Sequence, residues 1–350
     1  MNKTIRKNII LFGILAVVSL TGFGFTAATG GFGKQEIAED KFRIVTSFYP
    51  VHIATLNVTD GMEHVEVTNM TENVNGCLHD YQLTAADMKK LEHADVFIIN
   101  GAGMELFLET IQKAYPELTI IDSSEGITLL EAVEHDHTHE EEEHIYEEHD
   151  HGEESVHEEE HLHEEEHVHE AEEEHAEHSH GEHNGHIWMN PDNYVVQVEN
   201  IAVGLAALDS AHGEEYHQKA HIYMEKVEQI AEELEEVREG HKEEHIVIFH
   251  DSYAYLADKL NFHIVYQVVI EEDTSMSAGE IAEIVEEIKY HEVSVLLAEK
   301  QFSDQIPTSI AKETDTKVIV VDSLVSGEMD KDAYIHGMRE NIRILKEELD

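Results

Sequence analysis

The sequence predicts an α/β protein built as two Rossmann-like lobes joined by a long connecting helix. Three observations carry that reading. Buried-strand runs such as Val96-Phe97-Ile98-Ile99 and Val318-Ile319-Val320-Val321 alternate with amphipathic helical stretches. The alternation occurs on both sides of an abrupt acidic segment. Between the halves runs an unbroken helical pattern from Glu214 to about Glu239, with Tyr223, Val227, Ile230, Leu234 and Val237 on one face. At 350 residues and 41% hydrophobic content, the chain can bury the core that two lobes need.

Residues 1–29 read as an export signal. Lys3, Arg6 and Lys7 precede an apolar run from Ile9 to Leu20 that is short for a membrane span. Leu20-Thr21-Gly22-Phe23 resembles a lipobox with Phe23 in place of the acylated Cys, which argues against a lipid anchor, and Thr26-Ala27-Ala28 offers an ordinary cleavage site instead. An uncleaved signal acting as a tether is the alternative. Residues 30–41 form a flexible lead-in.

The N-terminal lobe, residues 42–133, begins with strands over Phe42–Phe48 and His64–Met70 around a helix at Val51–Thr59. Thr84-Ala85-Ala86-Asp87 is a capping-box start for the next helix, followed by the Val96–Ile99 strand, a helix over Met104–Ala114 and a strand at Leu118–Ile121. Residues 186–240 supply a loop and connecting helices, the first opened by Asn190-Pro191 as N-cap and N1. In the C-terminal lobe, residues 241–350, strands at His245–Phe249, His263–Val269, Val293–Ala298 and Lys317–Val321 alternate with helices, the last over Asp332–Leu349.

Residues 134–185 differ from everything around them. Fifteen of the 29 histidines fall between His135 and His183, and no Lys or Arg occurs between Lys113 and Lys219. The aliphatic side chains there are Ile145, Val156, Leu162, Val168 and two alanines, too few to offset the entropy of ordering, so the insert is expected to be disordered without a ligand. His161-x-His163, His167-x-His169 and His178-x-His180 place paired imidazoles within reach of one ion, as soft, exchangeable accessory metal sites. A solvated acidic spacer is the plainer reading of the same composition. The formal net charge of −54 repels phosphate backbones and argues against nucleic acid as a partner, whereas it suits a cation. A single cysteine, Cys77, excludes an internal disulfide or thiolate cluster.

Ligands of open α/β sheets collect beyond the carboxyl ends of the strands. Three histidines outside the insert meet that test: His79 in the loop after the His64–Met70 strand, His186 just before a helix, and His250 at the end of Ile246-Val247-Ile248-Phe249. Asp322, after Val318–Val321, is the matching carboxylate. Three imidazoles and a carboxylate make a nitrogen and oxygen site of the type Zn2+ accepts. Asp251 and Glu299 are candidate acceptors orienting a ligand imidazole, or else a helix-start acid and a satisfied charge.

His79-Asp80-Tyr81, His186-Ile187-Trp188-Met189-Asn190-Pro191 and His250-Asp251-Ser252-Tyr253-Ala254-Tyr255 resemble the three histidine motifs of the ZnuA-like zinc-binding proteins that feed ABC importers. Order and spacing agree over nearly the whole chain after the signal. The acidic insert is similar to the family's His-rich insertion, and Ser275–Glu280 to its approach to a second-lobe helix. The resemblance implies one Zn2+ held between the lobes as transported ligand, a membrane permease as partner, a monomer, no enzymatic activity, and a location in the periplasm or on the outer face of the membrane. Manganese-binding relatives carry Glu where this chain has His250, and ligand softness supports the same preference for zinc. The chain departs from many relatives in having Leu78 where they have Pro, and relatives differ over whether the fourth ligand is a carboxylate or water.

Two other function classes fit part of this pattern. A zinc hydrolase has in its favour three histidines with an open position, and against it the missing His-Glu-x-x-His helix and the absence of an obvious second carboxylate as general base. Metal sequestration by the insert alone predicts that removing residues 135–183 abolishes all binding.

Overall fold

A computed structural model describes residues 41–71, 78–132, 183–241, 243–268, 276–300 and 305–349. The export signal, Cys77, Ser275 and the insert histidines His161, His163, His167, His169, His178 and His180 lie outside the described residues.

In the first lobe β1 (Phe42–Thr46), β2 (Val65–Asn69), β3 (Val96–Ile99) and β4 (Thr119–Asp122) pair in parallel in the order β2-β1-β3-β4. Their crossovers are α1 (Tyr49–Val58), α2 (Ala85–Leu91) and α3 (Leu108–Ala114). The chain then passes through α4 (Pro191–Leu208) and α5 (Gly213–Gly240). The second lobe repeats the order as β6-β5-β7-β8, with β5 (His245–Ile248), β6 (His263–Gln267), β7 (Val295–Glu299) and β8 (Lys317–Val321). Here α6 (Ala254–Leu260), α7 (Ala278–Tyr290) and α8 (Gln305–Thr314) cross over, and α9 (Ala333–Leu349) closes the chain. Two parallel sheets with the same strand order make this the two-lobe α/β protein the alternation implied.

Local chemistry explains the element starts. Thr84 accepts from the Asp87 N–H while Asp87 accepts from Thr84 N, the reciprocal cap read from the sequence. Asn190 accepts from Asp192 N ahead of Pro191. α5 is 28 residues, about 42 Å long. All five positions expected on its buried face are buried, together with Tyr216, Ala220 and Ala231.

The helix expected from Met104 begins only at Leu108. Gly101, Ala102 and Gly103 take φ of 80°, 54° and 80°, and the Glu105 carboxylate turns back to accept from Asn100 N at 2.7 Å and Gly101 N at 3.0 Å. A Cβ on Gly101 would lie 1.9 Å from Asp122 Oδ1, so the turn has no room for one. The insert also ends earlier than expected. His183 pairs antiparallel with Glu131, and Asn184 N donates to Leu130 O at 2.9 Å, so residues 183–185 belong to the folded body.

One apolar core runs through both lobes, from Ile44 and Ile98 through Trp188, Tyr194 and Leu234 to Ile248 and Ile342. Polar pins cross it. Trp188 Nε1 donates to Ser323 O and Tyr334 OH to Trp188 O, both at 2.8 Å, while Tyr194 stacks on Tyr334 with ring centroids 3.8 Å apart. Trp188→Phe leaves the buried Ser323 carbonyl without its donor, and we expect a loss of about 1–3 kcal/mol in the denaturant midpoint analysis.

Candidate metal centre

The open crevices of both sheets lie where strand order reverses, beside β1 and β3 in one lobe and β5 and β7 in the other. His250 follows β5 within two residues and Glu299 ends β7. His79 lies in a single 3-10 turn, Leu78–Asp80, and His186 opens another, Ile187–Met189. All three imidazoles are buried, His186 completely.

Their rings meet. His79 and His186 have centroids 5.1 Å apart and His186 and His250 5.2 Å apart, both edge to face. Two imidazoles on one tetrahedral ion at a metal–nitrogen distance of about 2.0–2.1 Å place their centroids about 5 Å apart. Each adjacent pair of rings therefore has the spacing of two imidazoles on one ion, although the set whose ligand atoms all lie within 4.8 Å joins His79 and His186 to Asp251 and leaves His250 outside it.

His186 is oriented from behind. Its backbone N–H donates to Asn184 Oδ1 at 2.9 Å, and its Nδ1 lies 3.1 Å from the same oxygen. A carbonyl oxygen can only accept, so Nδ1 carries the proton and Nε2 presents its lone pair. That Nε2 is buried with no hydrogen-bond partner. A buried polar atom of this kind costs stability unless something fills its lone pair, and an ion does so. Burial, with the neighbouring His79 and His250, pushes the His186 pKa down to about 3 against the pull of Asp251. The ring is neutral, the form a metal requires, at any pH near neutrality.

Carboxylates stand behind the rings. Asp251 Oδ1 is 3.5 Å from His186 Nδ1 and 3.2 Å from His250 Nδ1, and Glu299 Oε2 is 3.4 Å from His250 Nδ1. Glu299 accepts from Ser323 Oγ, and burial raises its pKa above the usual carboxylate range. His250 Nδ1 also accepts from Ser252 N at 3.1 Å. The two sets of contacts correspond to the two ring tautomers, and coordination through Nε2 would select the one whose Nδ1–H faces the carboxylates. Asp251 has a second possible part, since ligand atoms of His79, His186 and Asp251 all lie within 4.8 Å of one another. Asp322 points elsewhere: its Oδ2 lies 3.0 Å from Lys300 Nζ, and its Oδ1 accepts from Leu324 N at 2.9 Å.

The sequence reading missed Asn184 and Lys300. Asn184 also donates from Nδ2 to Asp251 O at 2.8 Å, and its own carbonyl accepts from Tyr255 OH at 2.9 Å. Asn100 Nδ2 holds the next residue through Gly185 O at 2.8 Å. An Asn two residues before a ligand and a Lys after a strand carry no spacing signal.

The chain is 29% identical over 307 residues to the high-affinity zinc uptake system protein ZnuA of Brucella abortus, covering 85% of this chain and 89% of that protein. It is 26% identical over 322 residues to the zinc-binding protein AdcA of Streptococcus pyogenes, covering 89% of this chain but spanning only 57% of that longer protein. Among solved structures, a zinc-bound deletion mutant of ZnuA matches with a TM-score of 0.63 and 22% identity, over 88% of this chain and 98% of that one. The solute-binding protein FpvC of Pseudomonas aeruginosa, solved with Ni2+, matches with a TM-score of 0.66 and 18% identity, over 88% and 97%. These two likenesses establish the shared fold. The family model described as zinc-uptake complex component A, periplasmic, matches residues 44–348, and the chain belongs to that family.

Proposed function

We propose that the protein captures Zn2+ outside the cytoplasm between its two lobes and delivers it to the membrane permease of an ABC importer. The observation that carries this reading is the buried, neutral, unpartnered Nε2 of His186, flanked by two further imidazoles at the spacing of a shared ion. His79, His186 and His250 are the ligands in this account. Asp251 and Glu299 orient the rings, and Asp322 or water completes the shell. In this account Asp322 reaches the ion only by turning away from Lys300 and Leu324.

The relatives' names favour transport over hydrolysis, and no observation at the site favours a hydrolase. The protein works as a monomer, exported by its first 29 residues and, with Phe23 at the lipobox-like position, free of a lipid anchor. In this account the insert between Glu131 and His183 gathers zinc near the cleft, since those two residues are paired and His183 stands three residues before His186.

A competitive zinc titration of the chain lacking residues 135–182, which keeps the Glu131–His183 pairing, tests the assignment. We expect one tight equivalent, weakened at least about a hundredfold by His186→Ala or His250→Ala; loss of tight binding on deletion alone would move the function into the insert. Lys300→Met should tighten zinc by up to about fivefold if Asp322 ligates, the range of an exposed ion pair, and leave affinity unchanged if water does.

Acid should destabilise the metal-free fold through His186. The unfolded chain protonates this ring below about 6.5, whereas the folded ring resists to about 3, so stability present above that window is lost as pH falls through it. Glu105 acts in the opposite sense: burial raises it to about 7, and the fold holds its proton where the unfolded chain does not. The comparison that isolates His186 is therefore wild type against His186→Asn. The wild-type melting temperature should fall more steeply between pH 6.5 and pH 4.

A further inference from the structure

A second group of metal-ligating side chains lies away from the cleft. His64 stands immediately before β2, Asp209 follows the last residue of α4, and His212 immediately precedes α5. His64 Nε2 is 3.0 Å from Asp209 Oδ2, and His212 Nδ1 is 3.0 Å from Oδ1 and 2.8 Å from Oδ2 of the same carboxylate. Ligand atoms of the three residues lie within 4.8 Å of one another. We propose that His64, Asp209 and His212 form a second, exchangeable site for a divalent transition-metal ion, Zn2+ or a similar borderline cation.

The position separates it from the cleft. The strands of the first sheet are parallel, the cleft histidine His79 follows the carboxyl end of β2, and His64 precedes its amino end. The five residues of β2, about 16 Å of strand, lie between His64 and the end of the sheet from which the chain leads to His79. The inference therefore stands whether or not the cleft works as proposed.

Two imidazoles and one carboxylate with an open coordination position are a donor set that zinc and its neighbours accept. The site is looser than the cleft. The His64 and His212 rings stack with centroids 3.8 Å apart, closer than the roughly 5 Å of two imidazoles on one tetrahedral ion. An entering ion must splay them. Their side chains are 30% and 41% exposed, so solvent rather than core borders that movement. The ion replaces the two ring contacts to Asp209, while Tyr216 OH, 3.0 Å from Asp209 Oδ2, keeps the carboxylate in place. A neutral His64 that gives Asp209 an Nε2–H must pass that proton to Nδ1 before Nε2 can ligate, and His212 must make the reverse change. Neither step releases a net proton from a neutral ring. The cost of splaying and tautomer change makes this site fill after the cleft.

Anomalous diffraction at the zinc edge from crystals of the full chain, soaked in excess ZnCl2, tests the proposal. The expected result is a peak within about 2.0–2.2 Å of His64 Nε2, an Asp209 oxygen and His212 Nδ1, weaker than the cleft peak. A filled cleft with no peak here, or a peak touching Asp209 alone, overturns it. In solution, 113Cd NMR of the full chain should show one resonance that His64→Gln with His212→Gln removes while the cleft resonance persists. Glutamine retains an N–H for Asp209, which protects the fold, and superimposable spectra would refute the site.

Discussion

The structure depends on a histidine that is buried where water cannot reach it and given no partner for one nitrogen. Burying an imidazole in this way is unfavourable, and Asn184 makes it specific by fixing the tautomer from behind. The residues that hold Asn184 then become part of the site. Tyr255 reaches it from the second lobe, Leu130 from the edge of the insert, and its own amide reaches back to the Asp251 carbonyl. One residue, through its side chain and its backbone together, thus ties together the ligand loops of both lobes and the root of the insert.

The architecture supplies the remaining constraint. Both sheets reverse strand order next to their first strand, so both open crevices face polar residues placed directly after apolar strands. A core that continues from one lobe to the other, pinned by Trp188 to Ser323 and Tyr334 to Trp188, holds those crevices opposite each other. Such a continuous interface suits a rigid cleft with small local adjustments better than wide hinge opening. Lys300 beside Asp322 is one place where adjustment is available, because an exposed ammonium can leave a carboxylate that a divalent cation approaches.

Much of this was legible in the sequence because it follows from periodicity. Every strand of both sheets appears within two residues of its expected bounds, and the caps at Thr84 and Asn190 form as read. Histidines at strand and helix ends pointed to the cleft because the fold class says where ligands gather. What escaped lies in long-range contacts that no local pattern encodes. The Met104 helix start was misplaced because Glu105 serves a turn closed by glycines. His64 and His212, 148 positions apart, share no spacing signal, and only the fold brings both to Asp209. Asp322 was readable as a strand-end carboxylate, but its pairing with Lys300 was not.

The central claim is that His186 is a direct ligand of the captured ion. X-ray absorption at the zinc edge, on the full chain loaded with one equivalent, tests it by counting imidazoles around the metal in the wild type and in His186→Ala. The account predicts three imidazoles in the wild type and an altered, weaker-bound environment in the variant. Identical spectra and affinities in the two proteins would contradict it.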